Sequence, residues 1–147
     1  MPSAPADSVF AALEPHLAAV QKPIQYVGGE LNSVSKEWVS PELGEDGTVR
    51  WALMYPDAYE VGLPNQGLQI LYEIVNERPD AVAERSYAPW TDLSALMRAE
   101  RLPLFSVDTH RAAGEFDLIG FNLSSELIYT NLSEDEENKL RHAFGDE

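Results

Sequence analysis

Apolar residues recur along this chain in two rhythms. Near the start, Phe10, Leu13, Leu17 and Val20 stand at near-helical spacing. They predict a short helix within Asp7–Val20 that kinks or restarts at Pro15, whose ring does not fit a continuous helix. Gly28–Gly29 predict a hinge or turn, and Ser40–Val49 (SPELGEDGTV) an exposed loop. Val49–Tyr55 (VRWALMY) is then a β-rich, mostly apolar run that stops at Pro56–Asp57. Such a run suits a strand buried on both faces in a parallel sheet. Beyond the loop PDAYEVGLPNQ, Leu68, Leu71, Tyr72 and Val75 fall at i, i+3, i+4 and i+7, the expected core face of a helix.

The alternation continues. Ala83–Tyr87 predicts a second strand, ended by Ala88–Pro89, and Thr91 is the expected N-cap of a helix with Asp92 in its first turn and Leu93, Leu96 and Met97 along it. Leu104–Val107 predicts a short strand before the turn DTHRAAGEFD. Leu118–Leu123 predicts a stronger one, with Ser124–Ser125 opening a helix through ELIYTNL. Strands alternating with helices give the fold class: α/β, a partial Rossmann-like open parallel sheet with flanking helices. Three or four strands are visible, where a doubly wound sheet usually has five or six. The expected layout is a helical and loop extension over 1–48, a partial α/β domain over 49–132, and an acidic tail over 133–147.

Composition narrows the chemistry. A net charge of −15 repels nucleic-acid phosphates, so no nucleic-acid partner is expected. No apolar run approaches a membrane span, and MPSAPADSVF has no basic region before an apolar stretch, so a cytoplasmic protein without a membrane partner is expected. Zero cysteines exclude a disulfide, a thiolate zinc site, a Cys nucleophile and a Cys-held iron–sulfur cluster within this chain. The three histidines, His16, His110 and His142, have no metal-ligand spacing, and neither a nucleophile elbow nor a P-loop occurs. No metal site and no catalytic constellation is expected. Tryptophans Trp38, Trp51 and Trp90 are read as packing residues.

The candidate chemistry lies at the carboxyl ends of the strands, where open α/β sheets receive ligands. Gly62 and Gly67 in PDAYEVGLPNQG permit close backbone approach, and Asn65 can cap the helix or reach a ligand amide. After LIGFNL, the hydroxyls of Ser124 and Ser125 can donate to a ligand or act as ordinary caps.

Several stretches together resemble one family: KPIQYVGGELN, WALMYPDAYEVGLPNQGLQILYEIVNERPD, AERSYAPWTDLSALMR, PLFSVDTHRAAGEFDLIGF and SSELIYTNL. They look like the start of the bacterial radical SAM proteins with an N-terminal cobalamin-binding-like domain. The resemblance implies a Rossmann-like domain ahead of a barrel that holds a [4Fe–4S] cluster through CxxxCxxC and cleaves S-adenosylmethionine. It also implies that Pro56, Asp57, Glu60, Gly62, Leu63, Asn65, Gly67, Ser124, Ser125 and Glu126 line a cobalamin face. The turn Asp108–Gly114 is similar to the cobalt-ligating DxHxxG, but its glycine comes one residue late and it follows a later strand; His110 is therefore expected to be a surface or loop histidine. With no cysteine motif and an abrupt change to SEDEENKLRHAFGDE, the resemblance implies a truncated piece, not catalytic by itself. Its partner would be a downstream or separately encoded radical SAM barrel, which would carry the cluster and S-adenosylmethionine. The alternative is a stand-alone interaction or regulatory module that has lost the cofactor.

Overall fold

A computed structural model of the chain describes residues 9–34, 36 and 47–124. Its elements in order are α1 (Val9–Leu13), β1 (Val49–Ala58), α2 (Tyr59–Gly62), α3 (Gln66–Glu77), β2 (Ala81–Ala88), α4 (Thr91–Glu100) and β3 (Leu118–Phe121). The three strands pair in parallel in the order β2-β1-β3, so the first strand is central and the chain turns to opposite sides of it. This is the open α/β sheet with flanking helices that the alternation predicts. The expected ELIYTNL helix, Ser125, Glu126 and the acidic tail lie outside the described residues.

Period two along the strands separates the faces. Leu53 and Tyr55 of β1 and Ala83 and Tyr87 of β2 pack with Leu68 and Tyr72 of α3 in one buried cluster. A second cluster joins Val9, Leu13, Val20 and Tyr26 of the N-terminal segment to Leu93, Met97 and Phe105. Each fully buried large apolar side chain contributes roughly 1.5–3 kcal/mol, so both clusters matter to a chain of this size.

Several local readings change. Strand β1 does not stop at Pro56 but runs to Ala58, with a register shift between Tyr55 and Ala58. Proline lacks the ladder N–H, and the shift is where its place in the strand can be vacant of one. On α3 the buried line is Leu68, Tyr72 and Asn76, and Leu71 is 47% exposed. Thr91 is the first residue of α4, whose N-cap is Trp90; the Asp92 carboxylate instead accepts from the backbone N–H of Gln21 (2.6 Å) and Leu93 (2.7 Å). Leu104–Val107 is not a strand, being reduced to a single antiparallel bridge from Phe105 to Ala112. The predicted kink at Pro15 is a passage from α1 into a 3₁₀ helix over Glu14–Ala19, and Gly28–Gly29 both adopt positive φ. A Cβ on Gly28 would lie 2.3 Å from the Val107 carbonyl oxygen, so this turn is also a close approach between the N-terminal segment and the body.

The two sheet edges differ. The outer edge of β2 is stopped by side chains from elsewhere in the chain. Lys36 Nζ donates to the Ala81 carbonyl (2.8 Å), the Asn76 amide bonds both the N–H and the C=O of Ala83 (3.0 Å each), and Asp108 accepts from the Arg85 N–H (2.6 Å). Backbone groups that would template another strand are thereby satisfied. Strand β3, only four residues long, ends the sheet on the other side among the described residues. Replacing Asn76 by Ala leaves a buried N–H and C=O unpaired, and urea unfolding should show a loss of about 2–4 kcal/mol.

Candidate functional site

Beyond its Pro56 irregularity, β1 delivers the chain to the carboxyl edge of the sheet, where β2 and β3 diverge around it. A crevice outside the strand ends at such a switch point is the usual ligand position in open α/β sheets. Asn65 is the N-cap of α3, its Oδ1 accepting from Leu68 N–H at 2.9 Å. The same oxygen accepts from Asn122 Nδ2 at 3.3 Å, which ties the start of α3 to the residue just past β3. Gly67 sits beside this amide pair: a Cβ there would lie 3.3 Å from Asn65 Oδ1 and 3.4 Å from Asn122 Nδ2. Ser124 Oγ and Tyr55 Oη share a hydrogen bond of 3.0 Å. Of the residues expected from sequence, Asn65 and Gly67 thus meet Asn122, and Ser124 meets Tyr55; sequence reasoning singled out neither Asn122 nor Tyr55.

The other expected residues within the described part make contacts inside the fold. Pro56 is fully buried in β1, and Asp57 Oδ1 accepts from the Ala58 N–H at 2.7 Å. Glu60 pairs with Lys22 at 2.6 Å on the exposed surface. Gly62 is buried because a Cβ would stand 2.5 Å from the Tyr87 ring, and Leu63 packs on the core while its carbonyl accepts from Gln69 Nε2 at 2.6 Å. Ser125 and Glu126 lie outside the described residues.

The largest concentration of buried charge is elsewhere, at the outer edge of β2. Arg85 has no exposed side-chain surface. Its Nη2 donates to Asp108 (2.8 Å) and Ser33 (3.1 Å) and lies 3.5 Å from Glu30, while its guanidinium carbon is 4.3 Å from the Tyr72 ring centroid. Ser33 Oγ (2.7 Å) and Tyr72 Oη (3.2 Å) also donate to Asp108, and Tyr59 Oη donates to Glu30 (2.9 Å). Burial works against the Arg85 charge, but Asp108 outweighs it and holds the pKa above its ordinary value. Burial pushes the Tyr72 phenol up to about 12, helped by the Asp108 charge. Tyr59 is also pushed to about 12, by burial first and then by its bond to Glu30. On the other face of β2, buried Glu84 accepts from Ser106 (2.6 Å) and Thr109 (2.7 Å). One hint was available in sequence: AERSY places two charges inside an otherwise buried strand, and such charges must be partnered.

His110 stands in a loop, one of the two expected positions, but it is not on the surface. It is buried, at φ 60, with its ring against Phe10 and Phe105. Its Nε2 stands 2.7 Å from the Tyr26 carbonyl, which accepts only and so places the proton on Nε2. Its backbone carbonyl accepts from Val9 N–H at 3.0 Å, so the residue clasps the N-terminal segment at two points. Burial lowers its pKa, opposed by the Tyr26 bond and the Asp108 and Glu30 charges. A cavity of about 10 Å³ between Tyr26, Tyr59, Tyr87 and Phe105 has room for about one water molecule and none for a cofactor. Among the described residues no cluster of three or more acidic or histidine side chains could hold a metal ion. No described helix is long and apolar enough to cross a membrane.

Two outcomes follow from these buried groups. Asp108→Ala strips Arg85 of its main counter-charge inside the protein and should cost about 3–5 kcal/mol in urea unfolding. For His110 the folded pKa lies below the unfolded one, so its contribution is complete above about pH 6.5 and declines as pH falls. The unfolding midpoint of the parent should therefore drop more between about pH 7.5 and pH 5.5 than that of His110→Asn, since asparagine tolerates positive φ without titrating.

Comparison with known proteins bears on the same elements. No curated protein and no solved structure gives a significant match. The family model described as radical SAM proteins, N-terminal, matches residues 67–135. That stretch runs from α3 through β2 and α4 to β3, and it is similar to the N-terminal region of the radical SAM proteins.

Proposed function

We propose that this chain serves as the non-catalytic N-terminal α/β domain of a cytoplasmic radical SAM protein, receiving cobalamin at the crevice between β1 and β3. The observation that carries the reading is the rim of paired amides and hydroxyls at the switch point, Asn65 with Asn122 (3.3 Å) and Tyr55 with Ser124 (3.0 Å). The donor set is neutral and holds no cation, so it suits an amide-fringed corrin better than a phosphate. Asn65, Asn122 and Ser124 would hold the corrin edge, and Gly67 would let it approach the backbone. Cobalamin, when bound, supplies a cobalt centre able to carry an alkyl group. His110 is buried against Tyr26 and is not a candidate cobalt ligand, so this reading requires binding without a protein histidine on the metal. The iron–sulfur cluster and S-adenosylmethionine belong to a partner barrel, because this chain has no cysteine.

Titration with hydroxocobalamin tests the cofactor. A shifted corrin spectrum with Kd on the order of micromolar is expected, weakened about tenfold by Asn122→Ala and unchanged by His110→Asn. A folded chain that leaves the spectrum unaltered would favour the alternative, an α/β interaction module without cofactor. S-adenosylmethionine cleavage after iron–sulfur reconstitution should be absent; its appearance would overturn the non-catalytic reading.

A further inference from the structure

The carboxyl end of β2 holds a phenol whose bonding is incomplete. Tyr87 is only 6% exposed, and its ring is held on two sides. A Cβ on Gly62 would stand 2.5 Å from the ring, and the Tyr59 ring meets it edge-on with 5.3 Å between centroids. A hydroxyl on a ring fixed in this way does not reach solvent by turning. Its oxygen is buried, and among the described residues it has no hydrogen-bond partner. Burial holds the Tyr87 pKa above its ordinary value, against the pull of the Arg85 charge, so the hydroxyl keeps its proton at neutral pH. A buried donor of this kind is destabilising unless something accepts from it.

Tyr87 also walls the cavity of about 10 Å³, and it is not the only polar residue there. Gln25, Tyr26 and Tyr59 border the same space, beside apolar Leu93 and Phe105. Their existing bonds leave capacity. Tyr26 Oη accepts from the Trp90 N–H (3.2 Å), which leaves its own proton to donate. Tyr59 Oη donates to Glu30 (2.9 Å), which leaves its lone pairs to accept. A buried water needs about 10–15 Å³ and two to four polar partners, whereas cavities that stay dry are apolar. The space beside Tyr87 has the size and the partners for one water.

We propose that this cavity is the seat of a single internal water molecule, which accepts the Tyr87 proton and bridges it to the other polar groups of the wall. The role of such a water is to join parts of the chain. Gln25 and Tyr26 belong to the N-terminal segment, Tyr59 to α2 and Tyr87 to β2. One molecule thereby fastens the N-terminal segment across the carboxyl ends of β1 and β2, separately from the Arg85 network and the His110 clasp.

The full chain and its Tyr87→Phe variant test this, since phenylalanine keeps the ring against Gly62 and Tyr59 and removes only the oxygen. Circular dichroism establishes that the variant is folded. In nuclear magnetic resonance of the parent, cross-relaxation between water and the ring protons of Tyr59, Tyr87 and Phe105 should carry the sign of a water held for longer than molecular tumbling. The urea midpoint of Tyr87→Phe should fall by about 0.5 M. A hydroxyl without a water predicts the opposite sign, because its removal relieves a buried unpaired donor. Hydrogen exchange of the Gln25 amide, which bonds the Lys22 carbonyl (3.1 Å), should quicken at least about threefold relative to the Ala83 amide in the strand. An unchanged or raised midpoint would overturn the proposal. So would a parent without the long-lived water signal, even with a lowered midpoint, since the hydroxyl would then be bonding a protein group. Equal changes in exchange at Gln25 and Ala83 would overturn the fastening role.

Discussion

Arg85 keeps its positive charge with no side-chain surface in water, and the cost of that position sets the design around it. An isolated buried guanidinium would be strongly unfavourable, so each group brought against it answers a desolvation penalty as well as adding attraction. Asp108 arrives from the turn after the Phe105 bridge, Glu30 and Ser33 from the N-terminal segment, and Tyr72 from α3. Three separate stretches meet on one side chain. The N-terminal segment is fixed to the body at this point and again where His110 meets Val9 and Tyr26. The charged edge of β2 and the placement of α3 are consequences of the same requirement.

That arrangement also separates the two ends of the strands. Charge and tight packing gather at the outer edge of β2, where aromatic rings, carboxylates and the small cavity leave no room for a cofactor. The carboxyl ends of β1 and β3 present neutral amides and hydroxyls instead, in the pairs Asn65–Asn122 and Tyr55–Ser124.

Legibility in the sequence followed the physics of each element. Runs such as VRWALMY and the periodic segment after Asn65 declare themselves because burial imposes period and composition. Asn65 was legible as a cap because capping is local. Asn122 and Tyr55 were not, since their roles depend on β1 and β3 lying side by side, a pairing made by residues far apart in the chain. His110 was misread because a histidine in a turn carries no local sign of burial; only the docking of Phe10 and Tyr26 encloses it. The core face of α3 was misjudged at Leu71 for a related reason, as periodicity marks an apolar face without saying which part of it the sheet covers.

The bond from Ser33 to Asp108 joins residues 75 apart in the chain. Contacts of such long range close a large loop before they return any stabilisation, and they slow folding accordingly. For a chain made from its N-terminus, the stretch that holds Glu30 and Ser33 leaves the ribosome well before Asp108 exists. Its destination, the Arg85 side chain on β2, is also still unmade. The stretch around Glu30 and Ser33 can therefore complete its network only with a turn translated seconds later, and the order of synthesis runs against the order in which this network can close.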